Sequence, residues 1–265
     1  MRSNNVLGFI FAATLDDKIP ELASSRTTAS VPIGGKYRII DFDLSNMSNS
    51  GISNVGIVAK SNFQSLMDHV GSGSAYDLSK RRSNLSILPP YDGKAFSSFV
   101  ETIYNMHGYI EHCREEYVLI SQGNVITNID YTDVFDFHSK KKADITLIYK
   151  NHAIPQGYDR PITLDVDNDG KVNQIFVKPG VVDKGVFNHA YGSILIKKDL
   201  LMSEIRNAIS VNQLDVKRLL QSSLGKYSIY AYENKGYCAA ISSINDYFEF
   251  NMDLMKKEVL SLIHI

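Results

Sequence analysis

Chemistry in this chain could gather in the stretch from Val31 to Val58, VPIGGKYRIIDFDLSNMSNSGISNVGIV. Pro32 and the pair Gly34-Gly35 let the backbone turn tightly and approach a ligand with no side chain in the way. Lys36 and Arg38 follow, two cations suited to phosphate oxygens through charge-assisted hydrogen bonds. A packed loop-helix-strand connection with solvated cations would use the same residues, and composition alone favours that plainer use. Lys178-Pro179 is a second candidate. A lysine stopped by proline after the run Ile175-Phe176-Val177 is held rather than floppy, so it suits a phosphate as well as it suits a surface turn.

Other patterns lead away from chemistry. Asp165 to Gly170 (DVDNDG) imitates the start of an EF-hand loop, but the twelfth position holds Phe176, not glutamate. A turn between two strands is expected there. His138-Ser139-Lys140-Lys141-Lys142 is expected to be the solvated end of a helix, where cations complement the dipole. The seven histidines have no metal-ligand spacing, and no GxSxG element or Cys/His pairing offers a covalent nucleophile.

The elements that must position these residues alternate. Val6–Ala13 reads as a buried central strand, Phe63–Val70 as a helix and Phe99–Glu116 as an amphipathic helix with Ile103, Met106, Ile110 and Cys113 on one stripe. Residues 117–121 and 143–149 read as further strands, and 75–96 as an irregular excursion. The alternation predicts crossover connections and a mostly parallel sheet. From Asn151 the spacing predicts strands over 161–166, 171–177, 191–196 and 227–232, and helices over 200–220 and 245–262. This is read as a mixed extension of one sheet, because no linker-like composition intervenes.

The totals set limits. With 265 residues, 44% hydrophobic, the chain can bury a large core. A net charge of -1 argues against bulk binding of nucleic acid or anionic membrane. Two cysteines make neither a disulfide framework nor a zinc site, so a reducing, cytoplasmic setting is expected. No run approaches a membrane span, and the opening MRSNNVLGFIFAATLDD lacks a good small-x-small cleavage site.

The Val31–Val58 segment resembles, without a gap, the signature of ADP-glucose pyrophosphorylase (glucose-1-phosphate adenylyltransferase). Weaker echoes continue in order through YVLISQGNVITNIDY, IFVKPG, IYAYENKGY and FEFNMDLM. The resemblance implies a nucleotidyltransferase, Rossmann-like α/β domain over 1–265, with a mixed, mostly parallel sheet flanked by helices. The family's C-terminal left-handed β-helix is expected to be absent or truncated. It also implies the reaction of ATP with glucose-1-phosphate, giving ADP-glucose and diphosphate in glycogen biosynthesis.

The departures from the family pattern are specific. The glycine-rich triphosphate loop falls on Ala13-Thr14-Leu15-Asp16-Asp17-Lys18, which puts carboxylates where phosphates would lie. The lysine of the next element falls at Thr28, although Arg26 remains, and a GTA-type element falls on Ser98-Phe99-Val100. The two magnesium-holding aspartates fall at Asn124 and Ala240. The sugar-phosphate side survives in part, with Lys178 and Gly192 implied as substrate contacts. Arg26, Gly34, Gly35, Lys36, Arg38 and Asp41 are implied as phosphate or effector candidates.

The pattern resembles the regulatory, D-type subunit found beside a catalytic subunit. No tightly bound cofactor is expected, and magnesium only if the chain is an enzyme. The expected partner is the catalytic subunit, in a hetero- or homo-oligomer, with a sugar phosphate or other effector. Two alternatives stay open: a weakly active nucleotidyltransferase that recruits Asp16 or Asp17 to the metal, and a sugar-phosphate sensor using Lys178 and Arg38.

Overall fold

The computed structural model describes residues 3–12, 19–59, 62–79, 84–89, 98–153, 161–177 and 185–256. In chain order the elements begin with β1 (Val6–Phe11), α1 (Pro20–Ala23), β2 (Pro32–Ile33), β3 (Tyr37–Arg38), α2 (Ile39–Asn49), β4 (Asn54–Val58) and α3 (Gln64–Val70). Then come β5 (Asn84–Leu88), α4 (Phe99–Asn105), α5 (His107–His112), β6 (Tyr117–Gln122), β7 (Val125–Thr127) and α6 (Tyr131–Lys141). They continue with β8 (Ile145–Ala153), β9 (Ile162–Val166), β10 (Val172–Val177), β11 (Val186–Lys197) and α7 (Lys198–Ser210). The last are α8 (Val216–Ser223), β12 (Ile229–Glu233), β13 (Cys238–Ala240) and α9 (Ile244–Asp253). The class is α/β, a mixed sheet flanked by helices, as the alternation of apolar runs and amphipathic stretches predicts.

The chain forms two interleaved compact units, one of residues 1–7, 90–119 and 133–233, the other of 8–89, 120–132 and 234–265. In the first, the strand order is β10-β9-β11-β6, and β8 pairs with both β11 and β12. β12 runs parallel to β8, whereas β8, β9 and β10 make antiparallel pairs with their other neighbours. β11 is bulged between Ala190 and Ile194, and Gly192 inside that bulge has φ 91°. The turn that imitated an EF-hand is a tight connection from β9 to β10. Asp167 Oδ1 accepts the backbone N–H groups of Asp169 and Lys171, and Asp169 pairs with Lys141.

Two histidines of this unit are buried: His138 on α6, hydrogen-bonded to Thr146, and His189 on β11. The expected solvated helix end is therefore corrected at His138, because its ring turns inward while Lys140 and Lys142 remain exposed. Burial, then nearby Lys197, lowers His138 to about 4, and burial with His152 and Lys217 lowers His189 to about 3. Both are neutral in the fold, so their contribution is intact above the ordinary value near 6.5 and is lost as pH falls toward 4 and 3. At pH 5 each costs about 2 kcal/mol. Relative to wild type, H138Q/H189F should therefore gain about 4 kcal/mol in urea unfolding between pH 7.5 and pH 5. A pH-independent difference would refute the assignment.

In the second unit the strand order is β6-β1-β4-β5, and β4 and β5 pair in parallel from Asn54↔Asn84 to Val58↔Leu88. β1 is buried along its whole length, as its unbroken apolar run predicts. β5 corrects the irregular excursion expected over 75–96 at residues 84–88, while 80–83 and 90–96 of that stretch lie outside the described residues. Its apolar residues are few, and Arg81-Arg82 and Pro89-Pro90 hide them, but β4 supplies the partner that makes them a strand. The core joins Ile19, Val31, Ile33, Ile39, Phe42, Ile126, Ile241, Phe250 and Leu254, with Phe42 and Phe250 edge-to-face at 5.9 Å.

Two expected helices are also divided. Residues 99–116 break at Met106 into α4 and α5, and 200–220 break into α7 and α8 around Asn212, which has φ 53°. Asp215 then caps α8 by accepting the Lys217 N–H. The helix expected over 245–262 ends as α9 at Asp253, and 257–265 lie outside the described residues. Among the described residues no helix is long and apolar enough to cross a membrane.

Candidate functional site

The signature segment folds as the hairpin β2–β3, the helix α2 and the strand β4, all in the second unit. Gly34 and Gly35 form the hairpin turn with φ 56° and 79°, a conformation that costs glycine little. The turn sits over α9. The Gly34 N–H donates to Asn251 Oδ1 at 3.3 Å, the Tyr247 hydroxyl donates to the Pro32 carbonyl at 2.8 Å, and a Cβ on Gly34 would lie 3.2 Å from Leu254. Lys36 is exposed, 5.8 Å from the centre of the Tyr37 ring. The glycines thus serve the turn's geometry, and of the pair of cations only Lys36 faces solvent freely.

Arg38 and Asp41 belong to an internal network. Arg38 Nη1 donates to both the carbonyl and the hydroxyl of Ser65, at 2.5 and 2.6 Å. Asp41, 3% exposed, accepts the Arg38 backbone N–H at 2.9 Å through Oδ2. Its Oδ1 accepts from His69 Nε2 at 2.6 Å and from the Tyr76 hydroxyl at 2.5 Å. Burial, with the bond to Asp41 second, pushes the Tyr76 hydroxyl up, so it stays a donor. These bonds tie α2 to α3 and to the 3-10 turn Ser74–Tyr76. His69 and Tyr76 were not legible as partners, since nothing in their local sequence marks them.

The two positions on which the resemblance places metal aspartates, Asn124 and Ala240, lie on adjoining segments, one residue out of register. β7 and β13 pair antiparallel, with Val125↔Ala240 in register. The Ile241 N–H donates to the Asn124 carbonyl at 2.8 Å, and Asn124 Nδ2 donates to the Ile241 carbonyl at 3.3 Å. Asn124 and Ala240 are each 3% exposed. The preceding Gly123 is needed for close approach, because a Cβ there would lie 2.8 Å from the Phe11 carbonyl oxygen. Beyond Ile241, the Ser242 N–H and hydroxyl both donate to Asp246, and Ser243 caps α9 by accepting the Asp246 N–H.

This donor set does not fit magnesium. A hard dication needs anionic oxygens, whereas residue 124 turns an N–H₂ group to a backbone carbonyl and residue 240 has no donor atom. Among the described residues no group of three or more His, Cys, Asp or Glu side chains could hold a metal ion.

The remaining candidates are dispersed. Gly192 lies in the β11 bulge of the first unit, and Ser98 there caps α4 by accepting the Glu101 N–H. Arg26 is half-buried just before the 3-10 turn Thr28–Ser30, within which Thr28 is fully buried. Lys178, Asp16 and Asp17 lie outside the described residues.

A family model described as nucleotidyl transferase matches residues 17–256 of the chain. Glucose-1-phosphate adenylyltransferase of Clostridium acetobutylicum is 31% identical over 265 residues, covering 96% of this chain and 68% of that protein. The Clostridium perfringens protein of the same name is 32% identical, covering 97% and 68%, and the Bacillus subtilis one is 31% identical, covering 95% and 68%. Among solved structures, a Bacillus anthracis protein assigned as a glucose-1-phosphate thymidylyltransferase, crystallised with sucrose, superposes with a TM-score of 0.75. It covers 93% of this chain and 94% of its own at 12% identity, a likeness of fold alone.

Proposed function

The chain belongs to the nucleotidyl transferase family, in its glucose-1-phosphate adenylyltransferase branch, and from that membership we propose that it is a regulatory, catalytically inactive subunit. In this reading it associates with a complete adenylyltransferase chain and tunes the synthesis of ADP-glucose for glycogen. The observation that carries the reading is the β7–β13 pairing, beside which Asn124 and Ala240 stand on adjoining segments and bring no carboxylate. The carboxylates of Asp16 and Asp17, in place of the glycine-rich loop, support it further. The internal use of Arg38 and Asp41 supports an architectural role for the signature segment over a phosphate site. Regulation of this kind requires the partner's active and inactive states to bind the subunit with different free energies, about 1–3 kcal/mol for a 5- to 150-fold effect.

The test mixes the purified chain with ATP, magnesium and glucose-1-phosphate, alone and together with a catalytic adenylyltransferase from the same cell. The chain alone should form no ADP-glucose, and its addition should raise the partner's rate or shift its response to effectors. Magnesium-dependent ADP-glucose formation by the chain alone, abolished by substitution at the β7–β13 site, would overturn the reading.

A further inference from the structure

α2 carries a second aspartate with no part in the Arg38–Asp41 network. Asp43 lies two residues beyond Asp41, on the other side of the helix. It is 2% exposed, and its Oδ2 has no hydrogen-bond partner. The polar group beside it is the Ser121 hydroxyl of β6. Tyr131, at the start of α6, is the titratable side chain facing it from the next element, and Cys238 of β13 faces Tyr131 in turn. Among the described residues no cation from these elements acts on Asp43. A carboxylate there would have neither water nor a full set of donors, and isolated buried charge is among the most expensive features a fold can hold.

We propose that Asp43 is a proton-operated latch: the neutral acid lets α2 stay seated against β6, and loss of its proton drives α2 off that seat until the carboxylate reaches water. Burial pushes the Asp43 carboxyl up to about 8, with the Ser121 hydroxyl drawing it only partly back. The raised value fixes the sign. The seat is at full strength below the ordinary aspartate value near 3.8, and it weakens as pH rises toward 8. Over that window one proton is released per opening, so the open population grows up to tenfold per pH unit and then levels off. The consequence reaches further than one side chain. Asn46, one turn along α2, donates to the Thr127 carbonyl of β7 at 2.8 Å, so an unseated α2 releases the strand that carries the Asn124–Ile241 pairing. The latch does not depend on the regulatory reading.

Hydrogen exchange of the α2 amides in the whole chain tests it, corrected for the base-catalysed intrinsic rate, at pH 5.5, 6.5 and 7.5. In wild type the protection should fall about hundredfold across that range. In Asp43→Asn, which keeps the shape without the charge, it should stay flat, and Asp43→Leu should behave likewise and stands in if the amide variant fails to fold. The β8 amides of the first unit serve as the reference that Asp43 does not touch. Equal pH dependence in wild type and both variants would overturn the latch. So would a ¹³C carboxyl shift showing Asp43 ionised at pH 6.5 while α2 stays protected.

Discussion

Replacing Asp41 with alanine is expected to lower the unfolding free energy by about 3–5 kcal/mol, the cost of breaking a buried charge-assisted cluster by removing one side. Three donors converge on this carboxylate: the Arg38 N–H, His69 Nε2 and the Tyr76 hydroxyl. With Asp41 3% exposed, water cannot easily replace it, so each donor left behind bears its own desolvation cost. Tyr76→Phe removes one hydrogen bond to a charged group and should cost about 1.5–3 kcal/mol. Because the two share one network, D41A/Y76F should cost less than the sum of the singles, with a coupling above about 0.5 kcal/mol. Denaturant unfolding of the three variants decides it. A D41A cost under about 1 kcal/mol would mean that α3 and the Ser74–Tyr76 turn are held by something other than this carboxylate.

The same cluster explains what the sequence could and could not reveal. A segment such as β1 is legible because its own residues state its environment: six apolar side chains in a row fit a strand covered on both faces. α2 is less so. Ile39 through Ser45 are all buried, so there is no polar face from which to read a period, and Asp41 and Asp43 look alike in sequence. One is surrounded by donors and the other is not: His69 and Tyr76, 28 and 35 residues beyond Asp41, reach that carboxylate, whereas Asp43 has beside it only Ser121, 78 residues further on. The division between α7 and α8 did leave a local signal, since Asn212 tolerates a left-handed backbone and Asp215 is a good N-cap. The meeting of Asn124 with Ile241 left none. No local pattern links residues 117 apart; the resemblance paired Asn124 with Ala240, and the β7–β13 register sets Asn124 beside the next residue, Ile241.

The neighbouring placement of residues 124 and 240 leads to the second large effect, a metal response created by substitution. Asn124→Asp alone loses the bond to the Ile241 carbonyl and sets a carboxylate against that oxygen, 3.3 Å from the present amide nitrogen. About 1–3 kcal/mol should be lost, with no gain from magnesium, since one carboxylate makes a poor site. Ala240→Asp alone buries a charge at a position that is 3% exposed, with the same outcome. Together the two supply a pair of anionic oxygens on adjoining segments, residue 124 just before β7 and residue 240 on β13. Their mutual repulsion should make N124D/A240D the least stable of the three without metal and the only one that magnesium stabilises. At a hundredfold excess over the dissociation constant the gain is about 2.7 kcal/mol. At about 2–4 °C per kcal/mol for a chain of this size, the melting temperature should rise by roughly 5–10 °C. Thermal unfolding with magnesium or EDTA reads this directly, independent of any activity. On the proposed reading ADP-glucose formation should remain absent, because the double variant still carries Asp16 and Asp17 where the resemblance sets a glycine-rich loop. A double variant indifferent to magnesium would show that positions 124 and 240 do not converge as ligands. A wild-type chain that magnesium stabilises would remove the chief support for an inactive subunit.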